Sequence, residues 1–153
     1  MTQTVMLKDA ATDVKPYLSV VIPVYNEEEN LVELGQRLLA TLNALPYRSE
    51  IIFVDDGSND KSWYIITELH QEHPGQVRGL QFIRNFGQHP AIFAGFQAVR
   101  GEVIVTLDAD LQNPPEEIPK LLAKLEEGYD TVGGWREVRQ DSFFRRLPSA
   151  VIN

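Results

Sequence analysis

Apolar residues in this chain fall into short unbroken runs separated by stretches with helical spacing. The run Leu18-Ser19-Val20-Val21-Ile22-Pro23-Val24 is rich in β-branched residues and nearly continuous, the pattern of a strand covered on both faces. Asn26, with Glu29 three residues on, predicts a capping arrangement. The helix it opens carries Leu31, Leu34, Leu38, Leu42 and Leu45 on one stripe. A second strand is predicted at Ile51-Ile52-Phe53-Val54, ending in Asp55-Asp56-Gly57-Ser58 and followed by a helix from about Asp60 to His73. A third, Leu80-Gln81-Phe82-Ile83, runs into Arg84-Asn85-Phe86-Gly87 and then a helix of small and apolar residues, Ala91, Ile92, Ala94, Gly95 and Ala98. Val103-Ile104-Val105-Thr106 reads as a buried fourth strand. A helix near Pro115 with Ile118, Leu121, Leu122 and Leu125 follows, and Tyr129 to Gly133 is expected to form a fifth strand. Residues 1–16 keep no sustained period and are expected to be a mobile tail.

Strands alternating with helices predict an α/β fold, a mostly parallel sheet with helices on both faces, because each parallel crossover needs a dozen or more residues. Such sheets bind ligands outside the carboxyl ends of their strands. Tyr25-Asn26-Glu27, Asp55-Asp56, Arg84-Asn85 and Asp108 to Gln112 all follow strands, so they are expected to share one rim. On extended backbone Asp108 and Asp110 point the same way, and Gln112 joins them if the extension persists. Two like charges held that close suit a hard cation with oxygen ligands. Taken alone, a D-x-D is as readily a helix cap beside a solvated carboxylate; the three companion clusters shift the balance toward a site.

Composition narrows the ligand. A net charge of −8 argues against broad binding to nucleic acid or anionic lipid, so an anionic ligand needs a metal or a local basic patch. With no cysteine, metal binding must use oxygen or the three histidines. No apolar run reaches the roughly 20 residues that span a bilayer. Neither G-x-x-x-x-G-K-[ST] nor a G-x-G-x-x-G after the first strand is present; Pro23-Val24-Tyr25 stands there instead. A diphosphate bridged to carboxylates through Mg²⁺ or Mn²⁺ is the natural substitute for a glycine loop. Tyr25 is placed to lie against a base, and Asp55-Asp56 to accept hydrogen bonds from base or ribose; judged singly, each is equally well a half-buried tyrosine and a helix-entry turn.

The segments Val21-Ile22-Pro23-Val24-Tyr25-Asn26-Glu27, Val54-Asp55-Asp56-Gly57-Ser58, Arg84-Asn85-Phe86-Gly87-Gln88-His89 and Leu107 to Glu117, in this order, resemble the inverting family 2 glycosyltransferases of GT-A fold. Within them the likeness is to the polyprenyl-phosphate glycosyltransferases, the group of dolichyl-phosphate mannose synthase and the bacterial undecaprenyl-phosphate sugar transferases, and it covers roughly residues 18–153. The resemblance implies a nucleotide site of Pro23, Tyr25, Glu27, Asp55, Asp56, Asp108 and Ala109. It also implies a Mg²⁺ or Mn²⁺ site of Asp108, Asp110 and Gln112, with Asp110 and Arg136 catalytic. Arg136, Arg139, Arg145 and Arg146 match the segment where the family receives the acceptor phosphate. Trp135 departs from the small or β-branched residue more usual before the arginine, which leaves the sugar open.

By the same resemblance the partners are a nucleotide-sugar donor, most simply a UDP-sugar, and a polyprenyl phosphate; a homo-oligomer is left open and nucleic acid is not expected. Residues 17–135 form the catalytic domain and 136–153 an acceptor or juxtamembrane segment. Family members of this type continue into transmembrane helices, so a longer natural protein on the cytoplasmic face of a membrane is expected. Phe143 and Phe144 among arginines fit such an interface. Two rival readings stand beside this one: a GT-A transferase with a soluble or polysaccharide acceptor, and a catalytically inactive nucleotide-binding module. His89 reads as a loop residue, and Glu116-Glu117 as carboxylates complementing a helix N-terminus.

Overall fold

A computed structural model describes residues 4–7 and 15–134. The chain divides into two compact units, Met1–Pro119 and Lys120–Asn153. The first holds the strands β1 (Thr4–Met6), β2 (Leu18–Val24), β3 (Ser49–Asp55), β4 (Val77–Phe82) and β5 (Val103–Thr106), with helices α1 (Leu31–Asn43), α2 (Ser62–Glu72) and α3 (Gln88–Ala98). A 3₁₀ turn, Pro115–Glu117, leads into α4 (Ile118–Glu126), and Gly128, two residues beyond its end, has φ 102°.

The sheet order is β1-β4-β3-β2-β5. β2 pairs parallel with both β3 and β5, β3 with β4 in the same sense, and β1 alone runs antiparallel, Val5 opposite Gln81. From β2 the chain moves outward through β3 to β4, then returns to lay β5 on the other side of β2. That reversal is the topological switch point at which open α/β sheets leave a crevice.

Central strands earn their continuous apolar sequences. Leu18, Val20, Val21 and Ile22 of β2, and Ile51, Ile52, Phe53 and Val54 of β3, are wholly buried. On one face Val21, Ile52, Val54, Leu80 and Phe82 meet Ala91 of α3. This helix sits close because Gly95 faces the sheet: a Cβ there would lie 2.3 Å from Val21 Cγ1 and 3.3 Å from Val54 Cγ2. On the other face α2 packs over β4, where Gly79 lies beneath Ile66 and Trp63, and α1 meets α2 where Gly35 lies beneath Leu69.

Several expectations need correction. Residues 4–6 of the expected tail form β1, held by β4's backbone rather than by any pattern of their own. The segment 129–133 is not a strand. β5 is not doubly covered: among the described residues it pairs only with β2, its burial alternates, and Ile104 is 43% exposed. α1 begins at Leu31, with Asn30 rather than Asn26 at its cap and no side-chain capping bond, and it stops before Leu45.

Candidate functional site

The loops that follow β2, β3, β4 and β5 converge at the carboxyl end of the sheet. They enclose a cleft of about 370 Å³ lined by Pro23, Val24, Tyr25, Glu27, Asp56, Asn85, Gly87, Gln88, Asp108, Ala109 and Asp110. Tyr25, Asn85 and neighbouring residues also border an adjoining hollow of about 430 Å³ whose floor includes Gln81, Phe82 and Arg84. Arg136, Arg139, Arg145 and Arg146 lie outside the described residues.

The first two loops are laced together by side chains that bond to backbone. Asn26 and Glu27 donate their N–H groups to Ser58 Oγ and Ser62 Oγ, both at 2.9 Å. Asn59 N–H donates to Asn26 Oδ1 at 2.8 Å and Lys61 N–H to Glu28 Oε2 at 2.9 Å; Glu28 N–H in turn reaches Asp60 Oδ2 at 3.1 Å. Asn26 takes a left-handed φ of 54°, a conformation asparagine tolerates better than most residues, which turns the chain sharply after Tyr25. Tyr25 stays 43% exposed over the cleft. The Glu27 carboxylate lines the cleft while accepting from Asn30 Nδ2 at 2.7 Å.

Asp55 and Asp56 diverge although adjacent. Asp55 closes β3 and is fully buried, accepting from Ser58 N–H and Gln81 Nε2, both at 3.2 Å, and it is not part of the cleft lining. Burial pushes its carboxyl pKa up, an effect partly offset by those donors. Asp56 faces the β4–α3 loop and accepts the N–H groups of Phe86 at 2.7 Å and Gly87 at 2.8 Å, one on each oxygen. That loop lies directly on Gly57, where a Cβ would come within 2.3 Å of the Arg84 carbonyl carbon. The Arg84 guanidinium stacks 4.8 Å from the Phe86 ring centre, and Phe86 meets Phe82 edge-on. Gly87 has φ 103° and ψ 162°, a region open essentially to glycine, and from it α3 starts.

The acidic loop after β5 is only briefly extended. Asp108 and Asp110 both reach the cleft, half-buried on either side of the buried Ala109. Leu111 then turns to φ 59°, so the alternation expected to carry Gln112 to the same side does not persist. Gln112 is exposed, is not part of the cleft lining, and donates its backbone N–H to Asp110 Oδ1 at 3.0 Å. Asp108 Oδ1 accepts from Gln88 Nε2 at 2.9 Å. Behind the loop the Arg37 fork grips both oxygens of Glu116, at 2.8 and 2.7 Å, and also reaches Glu33. The Arg37 hydrogen bonds hold the Glu116 carboxyl down at about 2.

Asn85 was expected only as part of a rim cluster with Arg84, and Gly87 and Gln88 were given no site role, although both lie within one of the quoted motifs. A cluster placed after a strand was legible; which member of it turns inward was not. Among the described residues no three or more His, Cys, Asp or Glu side chains gather into a metal cage. Two half-exposed carboxylates nonetheless fit a hard cation that keeps water and ligand oxygens for its remaining positions, as Mg²⁺ commonly does.

With this geometry in view the comparisons with known proteins are decisive. Residues 19–151 match the glycosyl transferase family 2. The chain belongs to that family. It is 56% identical over 137 residues to the undecaprenyl-phosphate 4-deoxy-4-formamido-L-arabinose transferase of Shewanella sediminis, a match covering 90% of this chain and 41% of that protein. The chain thus spans well under half the length of this relative. Among solved structures, residues 1–349 of S. aureus TarS in complex with UDP-GlcNAc superpose with a TM-score of 0.61 at 20% identity, covering 82% of this chain and 38% of that one. The mannosyltransferase PcManGT from Pyrobaculum calidifontis, in complex with GDP-Man and Mn²⁺, gives 0.59 at 24% identity, covering 78% and 34%. At these identities both show a shared GT-A-like fold. No helix among the described residues is long and apolar enough to cross a membrane.

Proposed function

We propose that this family 2 chain carries the donor site of an inverting glycosyltransferase that moves a sugar from a nucleotide diphosphate, most simply a UDP-sugar, to a polyprenyl phosphate. The observation that carries the reading is the convergence of four strand-end loops on one cleft containing Asp108 and Asp110. The acceptor class rests on the 56% identical relative, whose name specifies undecaprenyl phosphate. Base and ribose are assigned to Tyr25 and Asp56 with Pro23 and Glu27 beside them, and the diphosphate to the Asp108-Ala109-Asp110 end; Asp55, buried and bonded to Ser58 and Gln81, is left to support the loop from behind. Asp108 and Asp110 are the residues that would hold a divalent cation. Such a cation supplies positive charge to the departing diphosphate.

The chemistry needs little from a general base. A phosphate monoester has its second pKa near about 6, so the acceptor oxygen is already largely anionic at neutral pH. Attack on the anomeric carbon in line with the leaving diphosphate inverts its configuration. The harder task is to bring two phosphorylated substrates together in a chain of net charge −8. We assign acceptor contacts to Arg136, Arg139, Arg145 and Arg146, and a catalytic role to Arg136 as well.

Calorimetry with UDP, GDP and their sugars, with and without Mn²⁺, tests the reading. A nucleotide diphosphate is expected to bind in Mn²⁺, and Asp110→Ala to weaken that binding by at least tenfold, about 1.4 kcal/mol. Undiminished binding by the variant refutes the metal role of Asp110, and no binding by the wild type in metal refutes the metal-dependent donor site.

A further inference from the structure

Gln88 is the first residue of α3, and its side chain ties the start of that helix to the acidic loop after β5. Its Nε2 lies 2.9 Å from Asp108 Oδ1. A carboxylate only accepts, so the amide must present its NH₂ to Asp108. One carboxylate oxygen is thereby engaged by a bond that comes from outside its own loop.

What makes that bond directional is the rigidity behind Gln88. Gly87 fixes the start of the helix in a conformation other residues avoid. Asp56 holds Phe86 and Gly87 by two backbone N–H groups, and Asp56 is itself 3% exposed. One turn and two turns further along α3, Ala91 is fully buried and Gly95 presses on Val21. The backbone from which the exposed Gln88 side chain projects is thus anchored, whereas the acidic loop it meets lies beyond the end of β5.

We propose that Gln88 is a positioning residue for the cation site: it orients Asp108, and Asp56 acts through the 86–87 backbone to hold Gln88 in place. This rests on the donor-site reading above and adds to it a route by which the base end of the cleft fixes the carboxylate at the diphosphate end. Groups in this outer position about a metal commonly change metal affinity roughly 10-fold to 100-fold when removed. The exposure of Gln88, and the half-buried setting of Asp108, place the expected effect near the lower end.

The test is Gln88→Met, which keeps length and helix propensity and removes the donor. Calorimetry with UDP and with GDP is run in Mn²⁺ and in EDTA, beside thermal unfolding of both proteins. The expected result is an affinity about 10-fold weaker in Mn²⁺, with metal-free affinity and the unfolding midpoint unchanged. Equal affinity of variant and wild type in Mn²⁺ overturns the role of Gln88 and leaves the donor site standing. A loss of the same size in EDTA also overturns it, since that is what general disturbance of the cleft produces. Absence of Mn²⁺-dependent binding in the wild type overturns the donor site, and the role of Gln88 with it.

Discussion

Replacing Gly95 by alanine sets two known effects against each other in the middle of α3. Glycine in a helix interior costs about 1 kcal/mol relative to alanine, so on an exposed face the change stabilises. Gly95, however, is buried against β2, and its new Cβ would lie 2.3 Å from Val21 Cγ1. Ordinary carbon contacts begin near about 3.5 Å, so helix and strand must separate by roughly 1.2 Å or Val21 must leave its rotamer. Val21 is wholly buried, in a strand paired on both sides, and cannot yield cheaply. Overpacking of this kind costs about 1–3 kcal/mol, and the larger part of that range exceeds the gain in propensity. Net destabilisation of up to about 2 kcal/mol is expected. Urea unfolding reads it as a lower midpoint at constant slope. Val21→Ala removes the clashing methyl groups, so the double variant should lose less than the sum of the two single losses, by about 1 kcal/mol or more. A Gly95→Ala protein more stable than wild type, or losses that simply add, would show that α3 is not seated as tightly as the 2.3 Å approach implies.

Glu50, 1% exposed, accepts from Ser19 Oγ, from Arg100 through its backbone and side chain, and from Arg78. Burial alone raises its carboxyl pKa, but these donors more than offset that and leave it below the usual value. Its stabilisation is therefore complete above the unfolded pKa of 4.5 and fades as pH falls below that value. Glu50→Gln should cost about 2–4 kcal/mol at pH 7, less than for a fully enclosed pair because Arg100 is 35% exposed. The gap from wild type should narrow in urea melts taken at pH 3.5; a constant gap refutes the linkage. The Arg37–Glu116 grip is more exposed, at 32% and 51%, so Glu116→Gln should cost only about 0.5–1 kcal/mol at neutral pH. With the folded pKa at about 2, the wild-type advantage should fade as pH falls from 4.5 toward that value, and 1 M salt should reduce it at pH 7.

The sheet was legible because its central strands are hydrophobic on both faces and the helices between them carry a different period. What one chain's pattern does not contain is neighbour identity. Val103 to Thr106 reads like Val20 to Val24, yet one strand lies in the middle and the other pairs on one side among the described residues. Thr4–Met6 has too few residues to show a period and takes its conformation from β4. The site was legible at the level of loops, since polar residues after strands reach a common rim. It was not legible at the level of single side chains. Asp55 and Asp56 are adjacent and identical, but one is consumed by Ser58 and Gln81 while the other reaches the cleft. Gln112 drops away because Leu111 adopts a positive φ that no i, i+2 rule anticipates.

The lacing of the loops after β2 and β3 governs how the cleft opens. Because Asn26, Glu27 and Glu28 give their amides to the second loop, and Asn59 and Lys61 give theirs to the first, neither loop can detach without stranding donors on both. The pair forms one cooperative unit, and its exposed amides should exchange with solvent at a common, slowed rate instead of fraying one by one. Tyr25 is carried on that unit. Its position over the cleft is therefore as durable as the weaker half of the lace, and Asp60, which is not part of the cleft lining, helps to set how long the aromatic wall stays in place.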